Sequence, residues 1–467
     1  MMNKNRHPVP RQKSPVFSII SLGCPKNLTD SELIVKRLLD AGFHFSENPQ
    51  RSDLVLVNTC GFLESARNEA KQTIDDLLKW KKRRKIQRIF VTGCAVQWDQ
   101  AALAEEYPTV DAWFGVFNEN QIAETALAFF EMGDNKKESV AVLPVLDRQK
   151  FTFDDTFKHQ LTLPHVAYLK IADGCSRHCS YCTIPAIRGP FTSRSKESIL
   201  REAKHLAGHG VRELILIAQE SNFWGIDLYG KPMLAGLLAE LQETVDADWI
   251  RLMYTYPMHF SPELIGLFAA KNKILPYIDI PLQHANDVIL RQMNRHANKS
   301  ETENLLTKLR GEIDGLVLRT SLIVGFPGET KEMFEELVTF VEKWQFERTG
   351  IFCYSPEKRT VAAELPGQIE ETVKHQRQKK LYELTNRICT DWAKKQIGKR
   401  YNVIIDKPGT DENGKRIPDL FYGRTCADSP TIDPIVYVTA VQPVKPGDIV
   451  MCEIVAAAGM DMIGIPC

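Results

Sequence analysis

Short apolar runs separated by amphipathic stretches fill the first third of the chain. Runs at 16–23, 53–59, 88–93 and 111–116 predict four strands, and helical patterns at 29–41 and 63–79 lie between them. Strands that are apolar almost throughout, alternating with helices, describe a doubly wound parallel sheet covered on both faces. The stretch 133–162 turns polar and irregular and reads as a linker, with one short strand at 140–146. Alternation then returns. Strands are expected at 166–171, 212–218, 249–255, 277–282, 318–325 and 348–355, and helices near 196–209, 233–245, 261–271, 300–312, 329–343 and 369–396. Six such units predict a partial (βα)6 barrel of the TIM type. Lacking its last two units, it would be open at the side to a bulky substrate.

The tail has no helical pattern. Runs at 401–406, 421–425, 435–439 and 448–455 predict a small antiparallel barrel of the OB kind. The expected α/β chain therefore divides into an N-terminal domain (16–132), a linker (133–162), a barrel core (163–396) and a terminal β-barrel (397–467).

Formal net charge is zero over 467 residues, so no bulk field favours nucleic acid or an anionic membrane. No apolar run approaches the ~18 residues that span a bilayer. Residues 1–15 are basic and proline-bearing, a flexible arm and not a signal peptide. The tail from 398 carries seven Lys and Arg against nine Asp and Glu, a net of −2, which suits a basic protein better than a phosphate backbone. Eleven cysteines, an odd number without a secretory signal, fit a reducing cytoplasm and metal ligation better than disulfides.

Three of those cysteines share one loop, Cys175-Ser-Arg-His-Cys179-Ser-Tyr-Cys182, just after an expected strand. Three thiolates can hold three irons of a cubic cluster. No fourth cysteine follows at ferredoxin spacing, so one iron would stay open to a small molecule. A zinc site would need a fourth ligand. His178, lying between two of the cysteines, is poorly placed to be that ligand and reads as a surface residue. Buried free thiols are the other alternative. Three more cysteines, Cys24, Cys60 and Cys94, end the first three strands. In a parallel sheet those ends share one edge, where ligands bind. A second three-ligand metal site competes here with cysteine as a small buried hydrophobe.

The loop, with Tyr181 before its last cysteine, resembles the radical S-adenosylmethionine signature. Together with the strand-end cysteines and the two barrels, the chain resembles the methylthiotransferases from about residue 16 to its end. One group of that family modifies an adenosine of tRNA. The other modifies an aspartate of small-subunit ribosomal protein S twelve. The stretches Ser21-Leu-Gly-Cys-Pro-Lys-Asn-Leu-Thr-Asp-Ser-Glu32, Ile184-Pro-Ala-Ile-Arg-Gly189 and Tyr277-Ile-Asp-Ile-Pro-Leu-Gln-His284 are similar to the ribosomal-protein group.

The resemblance implies two [4Fe–4S] clusters. The one on Cys175, Cys179 and Cys182 would chelate S-adenosylmethionine and cleave it to a 5′-deoxyadenosyl radical. The one on Cys24, Cys60 and Cys94 would hold the sulfur to be inserted, and a second S-adenosylmethionine would give the methyl. The product would be a methylthio group on the aspartate β-carbon. A monomer is expected, in the cytoplasm, with an electron donor such as flavodoxin or ferredoxin and S twelve as partner, free or on the ribosome. A non-catalytic two-cluster electron carrier is the reading from another class.

Further positions follow from the same likeness. Gln219 and Glu220 stand where many relatives carry Gly-Gly-Glu to hold the methionyl amine, though that motif is not literal here. Gly325 and Gly328 lie in a strand–turn–helix whose amides could face the cofactor, or which is an ordinary turn with Glu329 in the helix's first turn. Gln283 and His284 end the fourth core strand and could face ribose or substrate. Arg188 and Arg194 could pair with a carboxylate of cofactor or substrate, or within the protein. The basic run 79–85 ends a helix, as a solvated terminus or a ribosome contact. Cys353, Cys389, Cys426, Cys452 and Cys467 read as packing or surface thiols. Anaerobic reconstitution is expected to load about eight irons per chain, as two cubanes. Cys→Ala at 175, 179 and 182 together should remove half, read by iron analysis.

Overall fold

A computed structural model describes residues 14–131, 140–142, 153–440 and 442–467. Most of the proposed arm and much of the linker fall outside the described residues. The chain forms two compact units, 1–145 with 156–159, and 146–155 with 160–467.

The first unit holds β1 (Val16–Ser21), α1 (Pro25–Asp40), β2 (His44–Phe45), β3 (Leu54–Thr59), α2 (Glu64–Lys82), β4 (Arg88–Gly93), α3 (Cys94–Glu106), β5 (Ala112–Phe114), α4 (Glu119–Glu131) and β6 (Val140–Val142). The strands form one sheet, ordered β2-β1-β3-β4-β5-β6, and every pair is parallel. All six residues of β3 are buried, as a strand covered on both faces requires. On one face Val55, Val57, Ile89 and Val91 pack against Ile74 and Leu77 of α2. On the other, Phe90 meets Phe129 of α4 at 5.5 Å. The chain reverses direction across the sheet between β1 and β3, the place where such sheets take ligands. The basic run 79–85 ends α2, and residues 82–85 are exposed. Lys79 pairs with Asp76 and Lys81 with Asp111, while Trp80 packs on the core.

In the second unit the six expected core strands are β7 (Val166–Lys170), β10 (Glu213–Ile217), β11 (Trp249–Leu252), β12 (Ile274–Asp279), β13 (Val317–Val324) and β14 (Arg348–Cys353). They form an open parallel sheet in sequence order, so the partial barrel holds. A two-stranded clasp was not legible. β8 (Ala172–Asp173) pairs antiparallel with β9 (Thr192–Ser193) and closes the base of the cysteine loop, which carries α5 (Ile184–Arg188). The expected helices appear as α6 (Lys196–Gly208), α8 (Leu234–Thr244), α9 (Pro262–Ala269), α11 (Lys299–Glu312), α12 (Lys331–Trp344) and α13 (Glu371–Lys394), with two short additions, α7 (Ile226–Tyr229) and α10 (Asp287–Gln292). Side-chain caps set several starts, including a capping box of Asn298 and Glu301 on α11.

The tail closes as a barrel of five strands, β15 (Arg400–Thr410), β16 (Arg416–Arg424), β17 (Val436–Thr439), β18 (Ile449–Ala458) and β19 (Asp461–Pro466), in the order β15-β16-β17-β19-β18. The antiparallel expectation needs one correction, because β17 and β19 run parallel. A closed barrel with an odd number of strands cannot alternate direction all the way round.

Charged side chains at the amino end of the core strands meet the barrel and its β16–β17 loop. Arg424 pairs with Glu213 at 2.6 Å and Asp406 at 2.7 Å. Arg251 pairs with Glu213 at 2.7 Å and Arg348 with Asp428 at 2.7 Å. Tyr277 donates to Asp433 at 2.6 Å, and His165 meets Asp406 at 2.9 Å. This corrects the charge argument for a basic partner. Asp406, Asp428 and Asp433 are used internally, as is Arg424. Nine acids less three and seven cations less one leave six of each, so the tail presents no net charge outward.

Glu213 is fully buried between two guanidinium groups. Glu213→Ala leaves Arg251 without a carboxylate and takes one of the two carboxylates from Arg424, and should cost about 3–5 kcal/mol. The check is the loss of melting temperature against Glu213→Leu/Arg251→Met, in which Arg424 keeps Asp406 and which should melt close to the unmutated chain.

Candidate active site

Two cysteine trios stand at the carboxyl ends of parallel strands. In the first unit Thr59 of β3 faces Gly93 of β4, and Asn58 faces Ser21 of β1. The cysteines that follow these strands therefore emerge side by side. Cys24 occupies the N-cap position of α1 and Cys94 is the first residue of α3, so two of the three thiols sit at helix N-termini.

Each cysteine has a glycine beside it, and the close approach explains why. A Cβ on Gly23 would lie 2.7 Å from the Cys60 Cβ, and one on Gly61 would lie 2.6 Å from the Cys94 carbonyl. Gly23 and Gly93 also have φ of +90° and +97°, which other residues rarely adopt. One amide stitches the edge together. Asn27 Nδ2 donates to the carbonyls of Leu22 (2.8 Å), Asn58 (3.3 Å) and Thr59 (3.1 Å), and its Oδ1 lies 4.0 Å from Cys94 Sγ.

The second trio hangs on the loop after β7. Cys175 N donates to the Gly189 carbonyl at 3.1 Å and Cys182 N to the Cys179 carbonyl at 3.0 Å. The turn after α10 holds the loop from outside. Ser180 N donates to Met293 O at 3.0 Å, and Asn294 Nδ2 donates to His178 O at 2.7 Å. His178 itself is exposed. Burial pushes the Cys175 thiol up to about 11, with the charges of Glu220 and Cys179 adding to the effect. Burial also raises Cys182, and Cys179 raises it further. Burial holds Cys175 and Cys182 protonated until a cation replaces their protons, so the donor set fits an iron–sulfur cube, and loading it would release protons. Among the described residues no three His, Cys, Asp or Glu side chains converge as ligands of a single ion. A cube, with its ligands at separate corners, does not need that convergence.

Three comparisons bear on this geometry. Family models match in chain order: the uncharacterized protein family UPF0004 over 16–115, the radical SAM superfamily over 169–341 and the TRAM domain over 397–466. Ribosomal protein uS12 methylthiotransferase RimO of Desulforamulus reducens is 40% identical, over 96% of this chain and 99% of its own. That of Syntrophus aciditrophicus is 42% identical, over 95% and 96%. The chain belongs to the RimO family. Among solved structures, the radical S-adenosylmethionine methyltransferase TsrM of Kitasatospora setae, with cobalamin and a [4Fe-4S] cluster bound, shares the fold. Its TM-score is 0.54 at 17% identity, over 73% of this chain and 75% of that one.

Several expected RimO site residues take other roles. Arg188 is buried against Asp173 at 2.9 Å, and Arg194 pairs with Glu202, so neither awaits a ligand carboxylate. Burial works against charge on Asp173, but Arg188 and Lys170 overcome it and hold the carboxyl below its ordinary range. The Gly325 amide donates to Glu329 and the Gly328 amide to Gly367 O at 2.9 Å, so neither amide is left for a cofactor. A carboxylate one residue before the N-cap of the next helix, Glu329, has captured the amide of Gly325. Gln283 is fixed through its backbone, at φ +72°, with its carbonyl accepting from Ile323 N at 2.7 Å. His284 is buried, its Nδ1 accepting from Asn286 N at 2.9 Å and its Nε2 3.5 Å from Glu329.

Glu220 and Gln219 do end β10 beside the loop. Glu220 holds Arg177 in a two-point pair at 2.8 and 2.6 Å, and Gln219 Nε2 donates to Asp173 at 3.0 Å. The Arg177 guanidinium stacks 3.9 Å from the Tyr256 ring. Arg177 and Asn27 lay inside stretches already singled out but carried no separate signal. Tyr256 comes from a distant strand end and had none.

Gly23→Ala should disturb the strand-end trio alone. Iron is expected to fall from about eight to about four per chain, with S-adenosylmethionine cleavage retained, read by iron analysis and 5′-deoxyadenosine release.

Proposed function

We propose that this chain methylthiolates the β-carbon of an aspartate in ribosomal protein uS12, using two S-adenosylmethionine molecules and two [4Fe–4S] clusters. The observation that carries the reading is near full-length colinearity with RimO relatives at about 40% identity, on a chain that keeps both cysteine trios at strand ends. Cys175, Cys179 and Cys182 would hold one cluster and Cys24, Cys60 and Cys94 the other. When bound, these groups supply reductive radical generation, hydrogen abstraction and sulfur transfer, which side-chain acids and bases cannot provide.

The chain's own residues build the sites. The β8–β9 clasp and the α10 turn hold the loop thiols in place, while Asn27 and the three glycines draw the strand-end thiols together. Glu220 offers a carboxylate at the mouth of the barrel for an ammonium group, at present matched by Arg177. The side of the core between β7 and β14 is not closed by further strands, which suits a protein segment as substrate. The tail's charge balance does not favour protein over tRNA, so the substrate assignment rests on the relatives.

Mass spectrometry of small-subunit proteins and of tRNA from a deletion strain tests the reading. The aspartate of uS12 should lose its methylthio group while methylthioadenosine persists. Loss of methylthioadenosine with uS12 still modified would overturn it. Release of 5′-deoxyadenosine and methionine by the reduced enzyme would separately dispose of the electron-carrier alternative.

A further inference from the structure

Six arginines are buried among the described residues: Arg188, Arg194, Arg251, Arg295, Arg348 and Arg424. Five of them pair with a carboxylate at hydrogen-bond distance. Arg295 does not. Its neutral contacts are the Pro281 carbonyl at 2.6 Å and the Tyr256 ring, 4.4 Å from the guanidinium carbon. No carboxylate pairs with it among the described residues.

A buried guanidinium without a counter-ion is costly, and proteins normally avoid it. The groups around Arg295 show what would balance it. Its charge acts on Cys179 and Cys182, and on Tyr181, which lies between them in sequence. The turn that carries Arg295 also holds the loop, through Met293 and Asn294. Arg177, the other guanidinium on Tyr256, is already neutralised by Glu220. Only one of the two cations at the loop therefore lacks a partner.

We propose that Arg295 is the charge-balancing residue of the centre held by Cys175, Cys179 and Cys182, and that it sets that centre's reduction potential. This rests on the functional reading above. Three thiolates around an iron–sulfur cube make an anionic centre, and reduction adds one more negative charge. A fixed buried cation stabilises the reduced form more than the oxidised form, and so raises the potential. Arg295 is a positioning and tuning residue, not a catalytic one.

The test uses the full chain with Cys24, Cys60 and Cys94 replaced by Ala, so that one cluster titrates. It compares Arg295→Gln and Arg295→Lys with the parent, by iron content and by redox titration followed in electron paramagnetic resonance. Arg295→Gln should load iron and show at least a tenfold smaller reduction equilibrium constant, a shift of about 59 mV to lower potential for one electron. Arg295→Lys should stay near the parent. Loading by the lysine variant alone would also support the charge role. Equal potentials in all three would overturn it, as would failure of both variants to load while the parent loads. If the parent itself takes up no cluster on the loop, the functional reading fails first.

Discussion

A parallel strand delivers the residue after it to a fixed edge of its sheet. Both cysteine trios depend on that constraint. Had β1, β3 and β4 been antiparallel neighbours, their ends would alternate between edges and Cys60 would face away from Cys24 and Cys94. Because all three run the same way in matched register, residues spread from 24 to 94 arrive together. The core repeats the device, since the loop after β7, Glu220 after β10 and Gln283 after β12 all lie at carboxyl ends. The scaffold below can stay rigid while the loops carry chemistry.

The opposite end of the core is organised by charge. A full eight-stranded barrel fills its interior with apolar layers. Here the amino-end positions hold Glu213, Arg251, Tyr277, Arg319 and Arg348, and the terminal barrel brings Arg424, Asp428 and Asp433 to meet them. Such pairs add little net stability over apolar packing, yet they tolerate few alternatives, because a misplaced loop would leave several charges unpaired. The terminal barrel is held in one place by that intolerance. Acids that look like a surface for a basic partner when counted along the chain are, in space, part of this floor.

The six core strands and the helices between them were legible because apolar periodicity directly records burial. The loop trio was legible because its ligands are close in sequence, from Cys175 to Cys182. The strand-end trio was legible only once parallel topology was assumed. The β8–β9 clasp was missed because two-residue strands carry no period. The β19 strand was missed because Gly464 and Pro466 interrupt it. Gly325 and Gly328 carried two readings that the sequence could not separate. A glycine turn before a helix signals free amides, but what takes them depends on direction and distant segments: Glu329 accepts from Gly325, and the Gly367 carbonyl from Gly328. Arg177, Tyr256 and Arg295 meet through three separate segments, and no local pattern announces that.

The two trios also differ in what they require of folding. The loop ligands lie within eight residues, so a chain with an unformed N-terminal sheet can still gather them. The strand-end ligands exist as a set only after three strands have paired and Gly23, Gly61 and Gly93 have let their turns close on one another. Metal binding and folding are then coupled much more tightly at the second site than at the first. A cluster there reports a completed sheet, whereas a cluster on the loop reports little beyond the loop and the turn that holds it. The division between a local site and an assembled one follows from ligand spacing alone, and it makes the strand-end centre the more sensitive of the two to any change in backbone geometry.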